Sequence, residues 1–300
     1  MELFPSVLKI AGGTNAGIVT ASKTSRRHNF KLIMNSKTII RFFAVAGVLL
    51  GFGPAAIADH TPQAVPLVQK WTEPSLVTLD NDWSSAPGFM GYRGDKTTSK
   101  TGANPQTIVL DGTITTSVSV FANQSKPNSF RSGGVAEFDG IGDGVVAIKG
   151  SASASAPFLL LNLNTSGKKN IGVGYKLRDL DSSVNNAVQP VAFQYRVGTN
   201  SNFIDIPAAY IADATTGPNL ATEVTPVVIL LPAEAWGQPH VQVRWITCNA
   251  EGNDEWVGID DIAVVADDVT PAPATASTAT PGDSKPPVQP ARSPKDAGSR

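Results

Sequence analysis

From about residue 113 to residue 265 the chain is built of short runs in which apolar residues return at every second position. Thr113–Phe121 is the clearest, with Ile114, Val118 and Val120 on one parity. That is the period of a strand with one buried face. Similar runs follow at Val135–Asp139, Val145–Lys149, Phe158–Leu163, Ile171–Arg178, Val191–Val197, Phe203–Ile206, Val227–Leu231, Val241–Thr247 and Trp256–Val265. Turn-forming residues separate them, among them Ser132-Gly133-Gly134, Thr165-Ser166-Gly167, Gly217-Pro218-Asn219 and Gly237-Gln238-Pro239. No run of helical period is long enough to compete. About ten short strands so spaced predict an all-β, jelly-roll-like antiparallel β-sandwich in a single domain. The long connections argue against an up-and-down barrel.

Charge divides the 300 residues into three regions. Residues 1–58 are basic, residues 59–270 carry a net charge of −9, and residues 271–300 carry +2. In the first, Lys37 and Arg41 precede an apolar run from Phe42 to Phe52; Pro54 and the small residues Ala56 and Ala58 follow. This is the layout of a secretory signal peptide over 34–58, cleaved after Ala58. The run is too short for the ~20 apolar residues of a membrane span, so no span is expected after cleavage. Residues 1–33 read as an overcalled leader before a start at Met34. Residues 269–300 are rich in Pro, Ala and Thr and lack aromatics, so a disordered tail is expected there. The β-domain occupies 59–268. A secreted protein, extracellular or periplasmic, is the resulting expectation.

Composition excludes several chemistries. One cysteine, Cys248, allows no intrachain disulfide, and three histidines cannot build a histidine-rich metal site. The acidic domain argues against nucleic acid or an anionic membrane as partner. No Gly-x-Ser-x-Gly elbow or phosphate loop occurs, and His240, which opens a strand, reads as a turn histidine. Paired acids for glycoside hydrolysis could come from Glu137, Asp179, Asp181, Glu251 or Glu255, as in any acidic β-protein. No enzyme is expected.

Two features suggest binding. In the last strand the apolar parity switches at Asp260-Asp261, from Val257 and Ile259 to Ile262 and Val264. Either both faces are buried or a bulge re-aims the side chains. Adjacent acids in a strand need a partner: a calcium ion held with Asp254 and Asp80, or hydrogen bonds from loop amides. The second feature is a set of aromatics in loop-like stretches, Trp83, Tyr92 and Trp236. They are candidates to stack on a sugar ring, or else to cover the end of the sandwich.

The stretch Gly252-Asn253-Asp254-Glu255-Trp256-Val257-Gly258-Ile259-Asp260-Asp261-Ile262 resembles the closing strand of jelly-roll modules in secreted bacterial multidomain proteins. Tyr175–Asp181, Asn186–Gly198 and Ala212–Pro218 add to the resemblance, which spans about Val77 to Val265. Such modules often sit beside extracellular endonuclease/exonuclease/phosphatase-type or lamin-tail domains. The Ile-Asp-Asp-Ile ending is also loosely similar to adhesion modules of the MAM type. The resemblance implies a module that is not itself the catalytic part and says little about activity. Taken with the loop aromatics and the acid pair, the expectation is a non-catalytic recognition or adhesion module for an extracellular glycan or surface protein, with a structural calcium. Two other readings stay open: an accessory or truncated part of a secreted hydrolase system, and a structural surface or matrix protein.

Overall fold

In a computed structural model, the structure describes residues 60–269, except Ser75, Lys96, Ser99 and residues 111–117. The signal segment, the leader and the tail lie outside the described residues, as does most of the strand expected at Thr113–Phe121. The described part is a sandwich of two sheets.

The first sheet contains β1 (Gln63–Ala64), β3 (Phe89–Tyr92), β7 (Phe158–Asn164), β9 (Ala192–Val197), β10 (Ile204–Asp205) and β12 (Val241–Ile246). Its order is β1-β7-β12-β9-β10, with β3 also on β7. The second contains β2 (Leu67–Gln69), β4 (Phe121–Gln124), β5 (Gly134–Phe138), β6 (Val145–Lys149), β8 (Lys168–Asp179), β11 (Val224–Leu230) and β13 (Val257–Asp268). Its order is β11-β8-β13-β6-β5-β4, with β2 also on β13. From β6 onward every connection but β9–β10 crosses between sheets, the jelly-roll habit expected from the long connections.

Nine of the expected runs are strands, their ends shifted by a few residues. β5, β6 and β12 are buried at every position, and the inward-facing residues of the two sheets meet in one shared core. Val135, Ile148, Leu159, Leu161, Phe193 and Trp245 are all fully buried there.

The parity switch in β13 is a bulge. Asp260 faces Lys176 on β8 and Ala263 faces Gly174, so β13 spends one residue more than its partner. Asp261 takes the extra position with φ +47°, the left-handed region where Asp is tolerated better than most residues. Val257 and Ile259 before it, and Ile262 and Val264 after it, therefore all reach the core. The outer edge of β13 changes partner at the same point, from β6 to β2.

The outer face of the first sheet is covered too. Asn162, Gln194, Arg196, Gln242 and Arg244 form a polar ladder across three strands, each with no exposed surface. Gln242 Nε2 donates to Asn162 Oδ1 at 2.7 Å, Arg196 Nε to Gln242 Oε1 at 2.6 Å, and Arg244 Nε to Gln194 Oε1 at 2.8 Å. The segment from Pro105 to Leu110 closes over it. Its Pro105 carbonyl accepts from Gln194, and its Ile108 and Leu110 carbonyls accept from Arg244. Phe203 lies 3.8 Å from the Arg244 guanidinium, so the buried cation rests on a ring face.

Candidate functional site

Four segments distant in sequence meet at one end of the sandwich and enclose a cleft of about 620 Å³. They are the turn around Asn128–Arg131, the end of β6 at Lys149–Ser151, the chain leaving β8 at Asp181–Asn185, and Gly252–Asp254 before β13. Each wall is tied down. Asn128 Nδ2 donates to Ser182 Oγ at 2.5 Å, and Ser182 N donates to Asn128 Oδ1 at 3.2 Å. Ser183 Oγ donates to the buried Glu255 at 2.8 Å. Gly150 is required for the close approach of the fourth wall, because a Cβ there would collide with the Cys248 carbonyl and the Asp254 carboxylate.

The floor is apolar below and charged above. Trp256 is fully buried, donates from Nε1 to the Phe130 carbonyl at 3.0 Å, and stacks on the Phe130 ring at 5.6 Å. Lys149 Nζ sits 5.7 Å above the Trp256 ring and 3.5 Å from Asp181 Oδ2. Asp181 is 2% exposed, and its other oxygen, Oδ1, is buried with no hydrogen-bond partner among the described residues. A buried carboxylate oxygen without a donor is costly, and a ligand that supplied a donor would relieve that cost. Burial raises the Asp181 carboxyl above its ordinary range while Lys149 opposes the shift. Burial likewise pushes Asp254 up to about 6, although its Oδ1 accepts from Ala250 N at 2.8 Å.

A second cleft, of about 490 Å³, is lined by Tyr210, Pro190, Val188, Ala212, Asn104 and Glu251, with Cys248 at its base. Burial pushes the Cys248 thiol up to about 12, which leaves it a poor nucleophile.

The sites expected from sequence are placed differently. Trp83 and Tyr92 are core residues, with 0% and 2% of their surface exposed, and neither can stack on an external sugar. Tyr92 belongs to β3 and stacks on Phe158 at 4.9 Å. Trp236 is half-buried, donates from Nε1 to the Leu231 carbonyl, and lines neither cleft.

The four acids considered for calcium do not share a site. Asp260 bonds Arg178 at 2.6 Å and Asp261 bonds Lys176 at 2.6 Å. Asp80 accepts from Ala122 N, and Asp254 stands in the polar cleft. The strand pair is thus balanced by two cations of β8, and these four residues offer a calcium ion no common shell. Among the described residues no group of three or more His, Cys, Asp or Glu converges as a metal site.

Three of the candidate acids, Asp179, Glu255 and Glu137, anchor neighbouring backbone. Asp179 accepts from Thr216 N and Oγ1, Glu255 from Ser183 and Ala187, and Glu137 from Asn123 N. Asp181 was legible only as one acid in that set. Lys149, its partner, carried no signal beyond being a lysine that ends an apolar strand.

No family model and no curated protein matches the chain. Among solved structures it is similar to a carbohydrate-binding module, CBM28, described as specific for non-crystalline cellulose; the match has 11% identity, 49% of this chain, 97% of that one and a TM-score of 0.32. It is similar to TmCBM61, solved with β-1,4-galactotriose, at 14% identity over 42% of this chain and 73% of that one, with a TM-score of 0.27. A cyclase from Fischerella sp. TAU matches at 15% identity over 67% and 94%, with a TM-score of 0.36. At such identities and TM-scores no function passes from these proteins to this chain.

Proposed function

We propose that the chain is a secreted, non-catalytic recognition module that binds a neutral glycan in the cleft of Lys149 and Asp181. The observation that carries this reading is the unpartnered, buried Oδ1 of Asp181 beside a lysine, in a cleft lined by amides and hydroxyls. A sugar hydroxyl both donates and accepts, so one hydroxyl can donate to Asp181 Oδ1 and accept from Lys149. The lining holds two cations, Lys149 and Arg131, and two acids, Asp181 and Asp254. That balance favours an uncharged, polyhydroxylated ligand over an anion or a cation. The exposed Val184 and the edge of Phe130 supply apolar surface for the C–H face of a ring. Among the described residues no His or Cys lines the cleft, and Asp181 is held in an ion pair, which suits binding better than proton transfer.

The test is calorimetric titration of the mature protein with neutral oligosaccharides, in wild type and in Asp181→Asn. The isosteric amide removes the charged acceptor and keeps the shape. Binding weaker by about ten- to a hundredfold is expected, the worth of one hydrogen bond to a charged group. Absence of binding across cello-, manno- and galacto-oligosaccharides, or equal binding by a folded Asp181→Asn, would overturn the proposal.

A further inference from the structure

The polar cleft and the Tyr210 cleft are neighbours across a single peptide. Glu251 lines one and Gly252 lines the other, and consecutive Cα atoms are about 3.8 Å apart. Gly252 is exposed, has φ +99°, and has nothing within 4 Å of the place a Cβ would take. The saddle between the clefts is therefore bare backbone with open space above it. The opposite bank is shared as well, because the loop that supplies Asp181–Asn185 to the first cleft supplies Val188 and Pro190 to the second.

Both banks are pre-formed. Gly102 N donates to the Asn249 carbonyl at 2.7 Å, and Asn249 Nδ2 donates to Thr101 Oγ1 at 3.0 Å. The fully buried Gln189 joins the two banks, donating to the Cys248 carbonyl and accepting from Glu255 N. The clefts differ in character. The first offers charge, amides and hydroxyls. The second offers a half-buried tyrosine flanked by Pro190, Val188 and Ala212, with Asn104 and Glu251 at the rim.

We propose that the two clefts form one groove for an extended neutral oligosaccharide, one sugar unit held by Asp181 and Lys149 and a further unit stacked on Tyr210. This rests on glycan recognition in the polar cleft and adds that the ligand is a chain segment rather than a single sugar. Rigid banks limit the ordering cost of binding, so contacts in the second cleft add to affinity.

The experiment titrates the mature protein with cello-, manno- and galacto-oligosaccharides from monomer to hexamer. It compares wild type, Tyr210→Ala and Ala212→Arg. Ala212 is exposed, so arginine there fills the second cleft without entering the core. Hexamer binding about tenfold or more tighter than monomer is expected, with both variants reducing the hexamer to the monomer's affinity. Monomer and hexamer binding equally, or Ala212→Arg leaving hexamer affinity intact, would overturn the two-cleft groove and leave the polar cleft as a single-sugar site. No binding at any length would overturn glycan recognition itself.

Discussion

Neighbouring acids on one strand illustrate how position sets the worth of a charge. The Asp260 side chain is 4% exposed and bonded to Arg178; that of Asp261 is 38% exposed and bonded to Lys176. Asp260→Asn is expected to cost about 2 kcal/mol of unfolding free energy, because it removes the charge of a buried carboxylate that is hydrogen-bonded to the half-buried Arg178. Asp261→Asn costs far less, since its ion pair is screened by water and asparagine accepts a positive φ. Urea unfolding of the two variants measures the difference. Repeating it with EDTA and then millimolar Ca²⁺ decides the calcium reading: a calcium-dependent gain abolished by Asp260→Asn would restore it. Glu137 sets a pH dependence. Burial pushes its carboxyl up to about 7, and its partner Asn123 N only partly offsets this. The folded state therefore holds the Glu137 proton more tightly than the unfolded chain. The associated stability is full below the ordinary carboxylate range and is lost as pH rises to about 7. Asp254, raised to about 6, acts in the same direction. The melting temperature should fall from pH 5 to pH 8, and Glu137→Gln should flatten that slope. A slope unchanged in Glu137→Gln would assign the dependence to other groups. Individual residues were the least legible level. Trp83 and Tyr92 stand among Asp, Ser and Gly and read as loop aromatics, yet both are core because β3 docks on β7.

At the scale of elements, the long strands were visible because alternation repeats enough times to show one face. β1, β2 and β3 have two to four residues, and β3 is buried at all four positions, so no alternation can be read from it. The bulge in β13 left a sequence trace, the parity switch, since one inserted residue inverts every side chain after it. The ladder on the outer face of the first sheet left none. Gln194, Arg196, Gln242 and Arg244 alternate with core residues just as solvent-facing residues do, but a segment of chain takes the place of solvent. Arg244 is central to holding that segment, through the carbonyls of Ile108 and Leu110. Arg244→Ala is expected to destabilise by about 3 kcal/mol, leaving buried carbonyls without donors. It should also loosen the segment and the chain before it enough for trypsin to cut at the already exposed Lys100 before the sandwich unfolds. Limited proteolysis checks this; unchanged protection of Lys100 would assign the closure to other contacts.

Across the whole molecule, one buried cluster takes residues from both sheets, from Trp71 and Val77 to Val264. Neither sheet can keep its inner face buried without the other. The domain should therefore melt in one transition, with equal calorimetric and van 't Hoff enthalpies. A second, separate transition would contradict a shared core. Sequence by itself determined the β class, nine of the strands, the place of the parity switch and that its single cysteine forms no intrachain disulfide, because periodicity and composition are local properties. Only the tertiary structure decided where the polar cleft proposed for binding lies. Its walls come from residues near 130, 150, 183 and 253, which no local pattern connects. Tertiary structure also turned the Asp260-Asp261 pair from possible calcium ligands into ion-pair partners, since only the register of β13 on β8 brings Lys176 and Arg178 beside them. The unpartnered oxygen of Asp181 is the same kind of fact: a carboxylate's worth depends on the donors around it, and those are set by how the sheets close.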